Sequence, residues 1–238
     1  MSGCGGIRCS ENRETRGSNA MSAQQPISQK AREFFEDLWQ QGDFWEFESS
    51  DYERARLAHM FKMIHGRRYG RALELGCGAG HFTRLLAGLA DRIVALDIAP
   101  AAIARARALE LSPGTVEFRV ANIMEYKPGA DGPWDLIVMT ETICYLGWLY
   151  PFFDVAWLAA ELFAATRHGG RLLLANTLGE EALLLPWVIR TYHDLFRNVG
   201  YRIEAEEVFK GTKKGVDFEV LMSLFSKDPE GIGTSGAS

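Results

Sequence analysis

The stretch RALELGCGAGHFTRLLAGLADRIVALDIAP, residues 71 to 100, constrains this chain more than any other. A strand-length apolar run leads straight into glycines at 76, 78 and 80. A helical run follows, and a second apolar run ends on Asp97, just before Pro100. Glycine reaches backbone conformations that other residues avoid and lets another molecule lie against the main chain. The free amides at a helix start attract negative charge. A strand, a glycine loop, a helix and a second strand therefore read as the opening unit of a parallel sheet with a nucleotide-type ligand at its edge. The plainer reading is a tight strand-to-helix turn that holds nothing.

The rest of the chain continues the alternation. Strand-length runs stand at RIVAL, TVEFRV, DLIVMT and GRLLLAN, with helical patterns between them at PAAIARARALE and PFFDVAWLAAELFAAT, whose prolines suit a first helical turn. Two helices precede the first strand. AREFFEDLW places Phe34, Phe35, Leu38 and Trp39 on one face. SDYERARLAHMFKMI opens with Ser50 three residues before Glu53, the spacing of a capping box. After Gly200, a helix stop, YRIEAEEVF and VDFEVLMSLF follow one another with only KGTKKG between them. Two strands joined without a helix are antiparallel neighbours, so the parallel sheet is expected to close with a hairpin.

A chain of 238 residues, 47% apolar and 24% charged, can bury one substantial core and is short for two. One domain is expected over residues 23–226. Residues 1–22 are expected to be a disordered leader or cloning remnant, and 227–238 a disordered tail. The net charge of −5 speaks against a nucleic-acid partner. The run ALLLPWVI is far shorter than the ~20 residues of a membrane span. Cys4, Cys9, Cys77 and Cys144 form neither a disulfide framework nor a CxxC pair, which fits a reducing cytoplasm. The five histidines show no metal-ligand spacing, and no metal is expected.

A dinucleotide fingerprint beginning at Gly76 needs a third small residue at position 81, where His81 stands, so the nicotinamide reading is weakened. Asp97, at the end of the second strand, suits the two hydroxyls of a ribose. That feature does not separate nicotinamide from other adenosine ligands, and a helix cap is its plainer role.

Taken together, the acidic residue two before the first glycine, the Gly76-x-Gly78-x-Gly80 spacing and the terminal hairpin make the chain resemble the class I S-adenosylmethionine-dependent methyltransferases over nearly all of residues 30–226. The resemblance implies a Rossmann-like α/β fold. Its seven-stranded, mostly parallel sheet would have the order 3-2-1-4-5-7-6 with strand 7 antiparallel, and the N-terminal helices would form a lid. A narrower similarity, carried by GDFWEFESSDYERAR, NIMEY and WDLIVMTETICYL, is to the nodulation protein S family of N-methyltransferases, which act on the free amine of a chitin-oligosaccharide sugar. It implies that S-adenosylmethionine is the cofactor and S-adenosylhomocysteine its product. The implied cofactor-binding residues are Glu74, Gly76, Cys77, Gly78, Gly80, Asp97, Ile98, Asn122, Ile123 and Thr140, with Tyr52 and Arg54 closing over the cofactor and Arg54 pairing its carboxylate. Asn122 departs from the family, which usually has Asp there. Its amide oxygen can still accept from the adenine amino group, and Ile123 would offer its backbone amide to the ring.

Methyl transfer needs the acceptor aligned and water excluded, with little compulsory side-chain chemistry. Glu141, just past the fourth strand, is the expected partner or base for an amine acceptor, with contact to the cofactor's own ammonium as its alternative role. Tyr145, a turn further on, offers a hydroxyl or an aromatic wall. Glu53 reads better as a helix cap than as a site residue, Arg54 competes with a solvated helix face, and His193 reads as a surface histidine. Trp39, Phe44, Trp45, Phe47 and the segment TLGEEALLLPW are candidates for the acceptor's walls, although Trp39 reads better as core. The expected function is methyl transfer to an amine of a small molecule, an amino sugar or a secondary metabolite, with a homodimer left open. The alternatives are an O-methyltransferase, a cofactor-binding protein without catalysis, and a nicotinamide-linked oxidoreductase.

Overall fold

The computed structural model of the protein describes residues 16–112, 114–178 and 183–228, with side chains from residue 27 onward. Two helices, α1 (Arg16–Gln40) and α2 (Asp51–Ile64), precede β1 (Tyr69–Leu75). Then come α3 (His81–Leu86), β2 (Ala90–Asp97), α4 (Pro100–Arg107), β3 (Val116–Val120), α5 (Pro128–Asp131) and β4 (Trp134–Thr140). The chain continues through α6 (Ile143–Leu149), α7 (Phe152–Ala165), β5 (Thr166–Leu178), α8 (Pro186–Asn198), β6 (Arg202–Lys213) and β7 (Val216–Ser226).

The seven strands form one sheet in the order β3-β2-β1-β4-β5-β7-β6, parallel from β3 to β5, with β7 antiparallel to both β5 and β6. This is the Rossmann-like methyltransferase topology that the sequence implied. Each central strand is apolar on both faces because helices cover both. Leu73, Leu75, Ile137, Met139, Leu172 and Leu174 join the core on one side. Their neighbours Ala72, Leu136, Val138, Leu173 and Ala175 join the core on the other.

Several boundaries differ from the sequence reading, each for a local reason. The helix expected over 81–90 stops at Leu86, and Ala90 already begins β2. α6 occupies ICYLGWL, a run to which the sequence reading assigned no element. The hairpin turn is tighter than KGTKKG suggests. Lys213 still belongs to β6, and the two-residue turn Lys214–Gly215 has φ of 51° and 80°, the pair of positive values that matches the twist of antiparallel strands.

At the chain ends, residues 1–15 and 229–238 of the expected leader and tail lie outside the described residues. α1 begins inside the stretch expected as a leader. At the other end, the Lys227 ammonium donates to the carbonyls of Phe163 and Thr166, and Asp228 pairs with Arg202. These bonds hold the first residues of the expected tail against α7 and β6. Residues 179–182 of the expected acceptor lid TLGEEALLLPW also lie outside the described residues.

Candidate functional site

A cavity of about 670 Å³ lies along the C-terminal edge of the parallel strands, with α1, α2 and the β6–β7 hairpin as its other walls. Binding sites of open α/β sheets form at this edge, where the strand order reverses, here between β1 and β4. Of the residues singled out in the sequence, Tyr52, Glu74, Gly76, Cys77, Gly78, Asp97, Ile98, Asn122, Ile123, Thr140, Glu141 and Tyr145 all line it.

Under β1, β2 and β3 the cavity floor is main chain. Gly78 has φ +52°, and a Cβ there would meet the Trp39 ring at 2.7 Å. Gly76 has φ +81°, and its Cβ would strike the Thr142 hydroxyl at 2.5 Å. The loop is thus shaped by close approach from α1 and from the residues after β4. Asp97 accepts from the Gly78 amide at 2.8 Å through one oxygen and from the Ala99 amide at 2.9 Å through the other. It ties the loops after β1 and β2 together and leaves lone pairs on the cavity side. The N-cap of α4 is Ala99, so capping is not Asp97's role. Glu74 is fully buried with the Thr83 hydroxyl donating to it at 2.6 Å, and burial pushes its carboxyl up to about 8. Gly80, with φ +81°, is the N-cap of α3 and faces Leu109 and Ala106 instead of the cavity. It is not among the residues that line the cavity, and its part is to start the helix.

Asn122 lines the cavity with its amide already engaged. Its oxygen accepts from the Met124 amide at 3.0 Å, and its nitrogen donates to Ser28 of α1, to Glu125 and to the Tyr150 hydroxyl. An adenine amino group would have to share that oxygen.

Under β4, β5 and the hairpin, the cavity is organised by charged side chains. Arg56 of α2 is buried. It donates twice to one oxygen of Glu53, at 2.9 and 2.7 Å, and once to Glu141 at 3.3 Å. Burial works against its charge, and the Glu141 and Glu53 carboxylates more than offset that. Glu141 also accepts from the Thr177 hydroxyl at 2.8 Å and the Thr177 amide at 3.0 Å, so β5 and α2 together fix its carboxylate. Its side chain keeps 28% exposure. Burial raises its pKa above the usual carboxylate value, while Arg56 and Thr177 act the other way. Its backbone has φ +51°, a conformation that costs a non-glycine residue about 1–3 kcal/mol and is held only by its surroundings. Lys213, from the hairpin, closes the network on Glu53 at 3.1 Å and donates to the Trp45 carbonyl at 2.6 Å.

This network corrects two readings. Arg54 does not enter the cavity. It is exposed and pairs with Asp51 and the Glu48 carbonyl. On a helix, residue 54 points away from the side shared by Tyr52, Glu53 and Arg56, and that spacing was the signal for Arg56. Glu53 does donate its amide to Ser50, as a capped residue should, but its carboxylate serves Arg56 and Lys213 instead of completing the capping box.

The aromatic candidates divide. Trp39 is both core and cavity wall, packed at 5.0 Å from Trp45. Tyr145 stands edge-on to Phe35 at 4.8 Å, and burial raises its hydroxyl pKa. His81 stacks on Phe47 at 5.2 Å, and burial lowers its pKa. His193 is not at the surface. It is 2% exposed, between the Ser223 hydroxyl at 2.8 Å and the Asn176 amide oxygen at 3.3 Å, and burial lowers its pKa to about 3. It shares the inward face of α8 with Ile189 and Phe196, a period visible in the sequence.

A family model described as Nodulation protein S (NodS) matches residues 28–150. Nodulation protein S of Rhizobium tropici is 33% identical over 106 residues, covering 44% of this chain and 44% of that protein. The Bradyrhizobium diazoefficiens protein is 36% identical over 107 residues, covering 44% and 49%. The chain therefore spans just under half the length of these curated relatives. Among solved structures, the N-methyltransferase NodS from Bradyrhizobium japonicum in complex with S-adenosyl-L-homocysteine superposes with a TM-score of 0.70. It covers 84% of this chain and 98% of that one at 21% identity. A DhpI–SAH complex gives 0.65, covering 86% and 98% at 20% identity. At such identities the likeness speaks for the fold.

Proposed function

The chain belongs to the nodulation protein S family, and from that premise we propose that it transfers the methyl group of S-adenosylmethionine to an amine of a small molecule. The observation that carries the reading is the cavity's two-part construction. A glycine cradle and a buried carboxylate on Asp97 stand in one half, and a held, partly exposed carboxylate on Glu141 in the other. The cradle fits the cofactor, because Gly76, Cys77 and Gly78 line the cavity beside the buried Asp97 carboxylate, with Thr142 and Trp39 packed where side chains on the glycines would stand. Asp97 would hold the ribose, Ile98, Asn122 and Ile123 would border the adenine, and Glu74 and Thr140 would border the methionine part. When bound there, S-adenosylmethionine supplies an electrophilic methyl on a positively charged sulfur.

The chain's own task is alignment and exclusion of water. The acceptor nitrogen must offer a neutral lone pair, and Glu141 is the group placed to orient it and take its proton, with Tyr145 alongside. Contact with the cofactor's ammonium is the second role for Glu141, favoured by its place between β4 and the glycine loop. Free, buried Cys77 and Cys144 support a cytoplasmic setting. Phe153 and Trp157, both exposed on α7, would supply an apolar surface for a homodimer, which light scattering tests.

Calorimetry with S-adenosylhomocysteine tests the cofactor directly. Binding on the order of micromolar to the wild type, weakened at least about tenfold in Asp97→Ala at a temperature where circular dichroism shows the variant folded, is the expected result. Absence of binding to the folded protein would overturn the reading. Glu141→Gln should lower the rate by on the order of 100-fold, with wild-type activity rising as pH approaches the acceptor's pKa. A loss of only a few-fold would remove Glu141 from proton transfer.

A further inference from the structure

Resting on the methyl-transfer reading, we infer that Lys213, at the end of β6, is a positioning residue for Glu141: by holding Glu53 it leaves Arg56 to pair with Glu141. The bonds of Lys213 go to Glu53 and to the Trp45 carbonyl, so its influence on Glu141 passes through two side chains of α2.

The two oxygens of Glu53 are divided between two cations. Oε1 accepts from the Lys213 ammonium at 3.1 Å, while Oε2 accepts from Nε and Nη2 of Arg56 at 2.9 and 2.7 Å. An arginine beside a carboxylate commonly takes both oxygens in a fork. Here the ammonium occupies one of them, and Nη1 of Arg56 reaches Oε1 of Glu141 at 3.3 Å, a longer contact than either of those to Glu53. Glu53 and Arg56 are buried and the Lys213 side chain is nearly so, which leaves little water to screen these charges.

Without Lys213, two carboxylates share one guanidinium, and one of them must favour its neutral form. Glu53 holds the two short bonds and Glu141 the single long one, so the proton settles on Glu141. Among the described residues, the other groups facing Glu141 do not replace the missing charge. Burial keeps Tyr52 of α2 and Cys144 and Tyr145 of α6 neutral, and Thr177 of β5 carries no charge. Lys214 is engaged elsewhere, on Glu46 at 2.7 Å. A carboxylate that already holds a proton cannot take one from an amine. The hairpin that walls the cavity therefore also keeps Glu141 in the charged form that proton transfer requires.

The test is the titration midpoint of Glu141 in the full chain, read from the side-chain carboxyl carbon NMR signal that Glu141→Gln removes. Lys213→Met should raise the midpoint by at least about one pH unit, and Lys213→Arg should keep it within about 0.3 unit of wild type. Adding Glu53→Gln to Lys213→Met should bring it back to within about 0.5 unit, because Arg56 then has a single carboxylate to serve. An unchanged midpoint in Lys213→Met overturns the inference. So does a midpoint that stays raised in the double variant, since Lys213 would then act through the fold of the hairpin and not through Glu53. If Lys213→Met does not fold, Glu53→Gln alone decides: the midpoint should fall, and one that does not fall overturns the inference. The titration needs no cofactor, so any of these failures leaves the methyl-transfer reading standing. Absence of S-adenosylhomocysteine binding overturns that reading, and with it the catalytic purpose of the arrangement, whatever the titration shows.

Discussion

The half of the cavity under β1, β2 and β3 and the half under β4, β5 and the hairpin hold their polar groups in place by different means. In the first, the shape is in the backbone: positive φ at Gly76 and Gly78, and a carboxylate on Asp97 that grips two amides. In the second, the shape is in the charges, with Glu53 and Arg56 on α2, Glu141 after β4 and Lys213 at the end of β6 drawn from three separate places in the chain. A backbone-built site depends on a few glycines in one short segment. A charge-built site depends on every partner being present at once, because removing one leaves another buried and uncompensated.

The largest test of that difference is Arg56→Met. It leaves Glu53 and Glu141 facing each other without their shared cation and should cost about 3–5 kcal/mol in urea unfolding. Next comes pH, to which two buried groups respond with opposite sign. His193, next to Asn176 on β5, binds a proton near 6.5 when unfolded and only near 3 when folded, so its contribution is present above about 6.5 and is lost as pH falls. Glu74, beside the glycine loop, is raised to about 8, so its contribution is present below about 4.5 and is lost as pH rises toward 8. Each slope is about 1.4 kcal/mol per pH unit, and the two oppose each other between 4.5 and 6.5. Glu74→Gln should remove the decline above pH 6.5, and His193→Gln should remove the decline on the acid side. Unfolding curves across pH 3–8 in which both variants keep the wild-type profile would refute the assignment.

Gly78→Ala should be smaller in stability, about 1–2 kcal/mol for the left-handed backbone alone. It should be large in cofactor binding, since the added methyl displaces Trp39. Lys214→Ala, removing an exposed ion pair, should cost no more than about 1 kcal/mol. A large loss there would mean that the hairpin tip belongs to the charge-built half more deeply than its exposure indicates.

The same division explains what could be read from the sequence. The glycine loop, Asp97 and the closing hairpin were legible because neighbouring residues dictate them, while the seven-strand order came only with the resemblance to the methyltransferases. Strand, loop and helix follow one another within thirty positions, and the antiparallel close follows from two strands with no room for a helix between them. Arg56 and Lys213 were not assigned, because their role exists only when residues 53, 56, 141, 177 and 213 meet. The helical spacing of Tyr52, Glu53 and Arg56 was available, but nothing local says that a carboxylate waits opposite. His193 was misplaced for a related reason. Its position on the apolar face of α8 was readable, while the partners that make a buried histidine tolerable, Ser223 and Asn176, come from two strands.

Lys213 reaches Glu53 across 160 positions of sequence. During synthesis Glu53 and Arg56 emerge well over a hundred residues before the cation that completes their arrangement. Until the hairpin arrives, the nascent chain carries a pocket whose charges are short of one partner and whose roof is missing. The charged half of the cavity is therefore complete only once β6 has been made, and a ribosome-stalled chain that stops before β6 should present the glycine loop without its Lys213 partner wall.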